Sequence, residues 1–246
     1  MSPRLPRIAG ALYLLTVVTS IPALALKDPL LRDTAVLSDG ASRLAWAGLL
    51  ELVLAAACIG TAACLFPVIR RHSEVAALGF LAARTVEGAL IAVGVMSMLS
   101  LATVHRADGA GADALAGADA TLIALHDWAF LLGPGLVPAV NALCLGYALY
   151  RFRLVPRVIP ALGLLGAPLL LVSALGSLFG AVDQVSGLAG LAALPIALWE
   201  ISLGLWLVLK GVEPRALTRR ATSDETERGM NDEPAPTAQR RTVERS

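Results

Sequence analysis

Six long apolar runs, each of about 20 residues, decide what this chain can fold into. A helical run of that length covers about 30 Å of hydrocarbon at about 1.5 Å per residue. The runs are Ile8 to Leu26, Leu44 to Phe66, Val75 to Val104, Trp128 to Tyr150, Val158 to Val182 and Leu188 to Leu209. Polar residues bunch between the runs and do not recur along them, as a soluble surface would require. Charged residues are 16% of the chain, against about 25% in soluble domains. The expected fold is all-α: an integral membrane bundle of six transmembrane helices within residues 1–212, set in a lipid bilayer.

Lysine and arginine set the expected orientation, because they concentrate on the cytoplasmic side. Arg4 and Arg7 precede the first run, Arg70 and Arg71 follow the second, and Arg151, Arg153 and Arg157 follow the fourth. Lys210 and the seven arginines after it follow the sixth. The opposite side carries only Lys27, Arg32, Arg43 and Arg106. Both termini are therefore expected in the cytoplasm. Arg4 and Arg7 before an apolar run, with Ala23-Leu24-Ala25 at its end, also resemble a secretory signal. The run exceeds the usual h-region of about 7–15 residues, so an uncleaved first span is expected.

Residues 213–246 are rich in Arg, Glu, Thr and Pro and nearly devoid of large apolar side chains. Such a segment cannot bury a core, and a disordered cytoplasmic tail is expected, available to a cytoplasmic partner. The net charge of +1 gives no footing for nucleic acid. Cys58, Cys64 and Cys144 sit inside apolar runs without metal-ligand spacing, so neither a metal nor a disulfide is expected. No signature of an intramembrane enzyme or a cofactor site is present, and no catalytic residue is assigned.

An ion inside a bilayer costs about 2.5–3.5 kcal/mol even on the lenient insertion scale, so it turns toward other helices. The runs hold Glu51, Arg84, Glu87 and Glu200, with Asn141 as a further polar group. Counted from the span ends, Glu87, Asn141 and Glu200 fall near the midplane, Arg84 slightly cytoplasmic of it, and Glu51 nearer the outer face. Arg84 and Glu87 are three apart and share a helix face. Three carboxyls then face one guanidinium, so Glu51 or Glu200 is expected to take up a proton or hold a cation. Two readings stand: a small-molecule or proton site formed by Arg84, Glu87, Asn141, Glu200 and Glu51, or interhelical glue made of the same groups.

Other features carry paired readings too. His126 and Asp127 are expected at the outer interface, as a proton relay or part of a metal site, or as a helix N-terminal cap. Gly133-Pro134-Gly135, with Pro138, marks a helix break or a kink. Gly176 and Gly180 suggest a close helix-packing step. Pro6-Arg7-Ile8 and Pro156-Arg157-Val158 open similar hairpins, each reaching a glutamate, which suggests an internal duplication.

Several stretches together resemble a bacterial membrane-protein family, domain of unknown function 4386. They are Arg7-Ile8-Ala9-Gly10 with Tyr13-Leu14-Leu15, Arg84-Thr85-Val86-Glu87, His126-Asp127 with Phe130-Leu131, and Gly133-Pro134-Gly135. Asn141 with Leu145-Gly146, Leu154-Val155-Pro156-Arg157, Pro195 to Glu200, Gly204-Leu205-Trp206 and Lys210-Gly211 complete the match. The resemblance implies a multi-pass protein of the bacterial plasma membrane and no known activity. It does not extend to the tail.

Overall fold

The computed structural model describes residues 4–34, 37–106, 112–184 and 186–212. The expected tail lies outside the described residues. Among the described residues, seven α-helices form: α1 (Arg4–Arg32), α2 (Leu37–Ile69), α3 (Glu74–Val104), α4 (Ala112–Phe130), α5 (Val137–Phe152), α6 (Val158–Leu178) and α7 (Gly187–Leu209). A π turn, Leu131–Leu136, joins α4 to α5 without interrupting the helical path. Six helical stretches are long and apolar enough to cross a membrane, and no strand occurs among the described residues.

The helices close into a ring, with α1 packed on α2 and α7, α3 between α2 and α5, and α6 between α5 and α7. The polarity is inverted relative to a soluble bundle. Val18, Ile21, Leu165 and Val172 point outward, each more than 60% exposed, while Arg84, Glu87 and Asn141 are buried. That arrangement suits a hydrocarbon solvent, which welcomes apolar side chains and repels ions.

Several boundaries follow from local chemistry. Ser73 and Ser186 cap α3 and α7, their hydroxyls accepting from the Ala76 and Ala189 amides at 3.3 Å. The sixth apolar run therefore starts where its cap sits. Gly180 has φ +71 and closes α6, with Gly180 N–H donating to Ser177 O and Ala181 N–H to Gly176 O. This is a Schellman ending. The pair Gly176 and Gly180 thus terminates a helix and is not a packing step, and the fifth span ends at Leu178, short of Val182. Hydropathy alone read through the cap because the residues beyond it are also apolar.

The fourth span differs most. It runs from Asp113 to Phe152, well before Trp128. Asp127 consequently lies more than a dozen residues into α4 and cannot cap a helix N-terminus. Alanine at Ala112, Ala114, Ala116, Ala118, Ala120 and Ala124 makes this segment helical despite its aspartates and glycine. At Gly133-Pro134-Gly135 the expected break is instead the π turn. Pro134 has no N–H for the Phe130 carbonyl, and its ring crowds that carbonyl. Widening the turn relieves both.

α1 also outlasts its apolar run and carries Lys27 inside the bundle. Ala23, Lys27 and Leu30 are spaced four and three apart and are all buried. Lys27 therefore belongs with the interior charges, and its placement in the outer loop is corrected.

Candidate functional site

The interior of the ring is held by Arg84, which projects from α3. Its Nη1 donates to Glu87 Oε2 at 3.1 Å, one turn along the same helix. Its Nη2 donates to Glu200 Oε1 on α7 at 2.6 Å. α3 and α7 are not neighbours in the ring, so this ion pair crosses its centre. Asn141 on α5 donates from Nδ2 to Glu87 Oε2 at 2.6 Å. Nη1 also reaches Cys58 Sγ on α2 at 3.4 Å. Four of the expected site residues, Arg84, Glu87, Asn141 and Glu200, thus meet in one cluster.

Aromatic rings complete the cage. The Arg84 guanidinium carbon lies 5.0 Å from the centroid of Tyr13 on α1 and 5.9 Å from that of Phe80. Such contacts attract a desolvated cation by about 2 kcal/mol. Tyr13 in turn meets Trp199 edge-on, centroids 6.3 Å apart. Tyr13, Phe80, Cys58 and Trp199 were not legible as site residues, because an apolar or aromatic side chain in an apolar run carries no signal of what it faces.

Tyr13 is admitted by small residues. Gly10, one turn before it, packs against α7 so closely that a Cβ there would lie 2.7 Å from both Gly204 O and Val208 N. Backbone contact at this distance requires glycine. Gly163 on α6 likewise receives the Trp199 ring, 2.6 Å from where a Cβ would stand.

Four buried polar atoms in this region make no hydrogen bond among the described residues: Arg84 Nε, Asn141 Oδ1, Tyr13 Oη and Trp199 Nε1. Unmet polar groups in an apolar interior call for a polar companion. A cavity of about 270 Å³ touches Arg84, Glu87 and Glu200 directly. Its remaining wall includes Thr16, Ser20, Pro134 and Pro138. Glu200 is the most open member of the cluster, its side chain 16% exposed against 2% for Arg84.

Glu51 stands apart. It pairs with Lys27, and both are buried. Seven residues separate Glu51 from Cys58 on α2, about 10 Å along the helix, so it sits about two turns from Arg84. The Lys27 ammonium also lies 4.6 Å from the Phe130 ring centroid. The expectation that three carboxyls face one cation is thereby revised: two cations, Lys27 and Arg84, face Glu51, Glu87 and Glu200. One carboxylate remains in excess, and it lies in the Arg84 cluster. The two glutamates of the suspected duplication serve different partners.

His126 and Asp127 diverge as well. His126 is 3% exposed, and its Nδ1 donates to the Gly94 carbonyl at 3.1 Å. In the neutral ring Nε2 is then the acceptor. Asp127 is exposed. Both line a cavity of about 430 Å³ beside Lys27, Asp28 and Arg32. Among the described residues, no group of three or more His, Cys, Asp or Glu side chains has metal-binding geometry.

No curated protein and no solved structure matches this chain. The model of one family matches residues 8–211, from the first turns of α1 to just past the end of α7. The chain therefore belongs to the membrane-protein family described as domain of unknown function 4386.

Proposed function

We propose that the Arg84–Glu87–Asn141–Glu200 cluster is a binding site for a small molecule whose passage is linked to a proton. The observation that carries this reading is a cavity in contact with one guanidinium and two carboxyls. With both carboxyls ionised the cluster holds one surplus negative charge, and a proton or a cationic group neutralises it. Arg84 and Asn141 fix the Glu87 carboxyl in place by hydrogen bonds. Glu200, the more open carboxyl, carries the exchangeable proton.

A second reading draws on the same hydrogen bonds. Arg84 ties α3 to α7 and Asn141 ties α5 to α3, so the cluster also serves as interhelical glue. In that reading the protein is structural or regulatory, and residues 213–246 recruit a cytoplasmic partner. Glu200→Gln separates the two, because it keeps the shape and an acceptor for Arg84 while removing the titratable charge. In proteoliposomes with an interior pH dye, small amines are expected to drive proton flux through the parent. Flux through Glu200→Gln is expected to fall about tenfold or more. No flux through either protein while both fold alike leaves only the glue, and equal flux through both removes Glu200 as the proton carrier.

We further infer that the bundle lies in the bacterial plasma membrane with both termini cytoplasmic. The arginine-rich connections after α2 and α5 and the basic residues after α7 support this orientation. A reporter inserted between α3 and α4 is expected to sit on the opposite side from one fused after Lys210. Finding both on one side removes the orientation.

A further inference from the structure

The cavity at Arg84 is one of three that share walls. The cavity at Lys27 and His126 meets a middle cavity of about 270 Å³ at Leu24, Phe130 and Gln184. The middle cavity meets the Arg84 cavity at Pro134, Leu170 and Ala193. The π turn supplies a wall to both junctions, with Phe130 just before it and Pro134 within it. Its widened backbone sets these two side chains between α1, α6 and α7.

Polar groups punctuate the passage. Gln184 stands at the first junction, and its buried Nε2 makes no hydrogen bond among the described residues. Ser173 and Ser177 line the middle cavity, and Thr16 and Ser20 the inner one. Both ends carry surplus negative charge. At the mouth, Lys27 and Arg32 face Asp28, Asp127, Asp183 and the Lys27 partner Glu51. At the inner end, Arg84 faces Glu87 and Glu200. A cleft of one sign with apolar walls concentrates the opposite sign.

We propose that these cavities form one access route, from the mouth at Lys27 and His126 to the Arg84–Glu200 site, and that it admits small organic cations such as primary amines. The choice of cargo rests on the reading of the cluster as a binding site. The route rests on the shared walls alone. Its inner junction is lined by Ala193, Leu170 and Pro134.

The test uses the full chain in detergent with Cys58, Cys64 and Cys144 replaced by alanine. Ser177→Cys places a thiol on the mouth side of this junction, and Ser20→Cys places one beyond it. Aminoethyl methanethiosulfonate, a cation, is expected to label Ser20→Cys about tenfold faster than the sulfonatoethyl reagent, an anion, relative to their rates on free thiol. Adding Ala193→Phe is expected to slow labelling of Ser20→Cys about tenfold while leaving Ser177→Cys unchanged. An unchanged rate at Ser20→Cys overturns the route, and equal rates for the two reagents overturn the cation preference. Should Ala193→Phe slow both thiols, reagents of growing headgroup decide on the unblocked chain. A trimethylammonium reagent must then lag the ammonium reagent at Ser20→Cys more than at Ser177→Cys, and equal ratios overturn the route. Labelling needs no flux, so a route that stands while Glu200→Gln leaves flux unaltered condemns the proton linkage and not the path.

Discussion

Arg84→Met is expected to destabilise the bundle by about 3–5 kcal/mol, the usual cost of removing one partner from a buried ion pair. The lost attraction is the smaller part. Glu87 and Glu200 are left facing each other across an apolar interior with no cation between them. Asn141 still donates to Glu87, but one neutral donor does not offset a buried charge. The triple variant Arg84→Met, Glu87→Gln, Glu200→Gln removes every charge at once and keeps an acceptor for Asn141. It is expected to regain most of the loss, since neutral replacement of a whole buried ionic group is often tolerated. Unfolding in mild detergent checks both variants. A single variant as stable as its parent, or a triple variant no better than the single, would show that the cluster does not bear on stability through its charge.

Gly10→Val is the second large effect. The first added carbon already falls 2.7 Å from α7 backbone atoms, which cannot swing aside as a side chain can. α1 and α7 must part, and overpacking of this kind costs about 1–3 kcal/mol and at times more. Tyr13 rides on the same face of α1 and joins Arg84 to Trp199, so the separation also loosens the Arg84 cage. Gly117→Ala is the control. Gly117 lies in α4 with nothing within 4 Å of its Cβ position, and alanine there is expected to gain about 0.5–1 kcal/mol of helix stability. Thermal unfolding of the two variants against the parent decides. Equal midpoints for Gly10→Val and the parent would mean that the helices do not approach as closely as described.

The Arg84 cluster was legible because ions are rare in apolar runs and have few places to go. Arg84 and Glu87 disclose themselves by a spacing of three, and Asn141 and Glu200 by depth. Lys27 was misplaced for the opposite reason. It stands at the end of an apolar run, where a lysine usually reaches for water. Only the packing of α1 against α2 shows it turned toward Glu51. That single pair changes the charge balance of the interior. The π turn was visible as an irregularity at Gly133-Pro134-Gly135, but whether a helix breaks, kinks or widens depends on what packs against it. Here Gly133 sits on Leu90 of α3, 2.9 Å from a would-be Cβ.

The sequence by itself determined the helical class, the six apolar crossings and the family, because the bilayer leaves a backbone few other ways to satisfy its hydrogen bonds. It also determined which side chains are out of place in hydrocarbon. The tertiary structure alone decided their partners, the glycine contacts that let α1 and α7 touch, and the cavities between α1, α6, α7 and the π turn. Those depend on distances between residues far apart in the chain, such as Arg84 and Glu200, and hydropathy has no term for such distances.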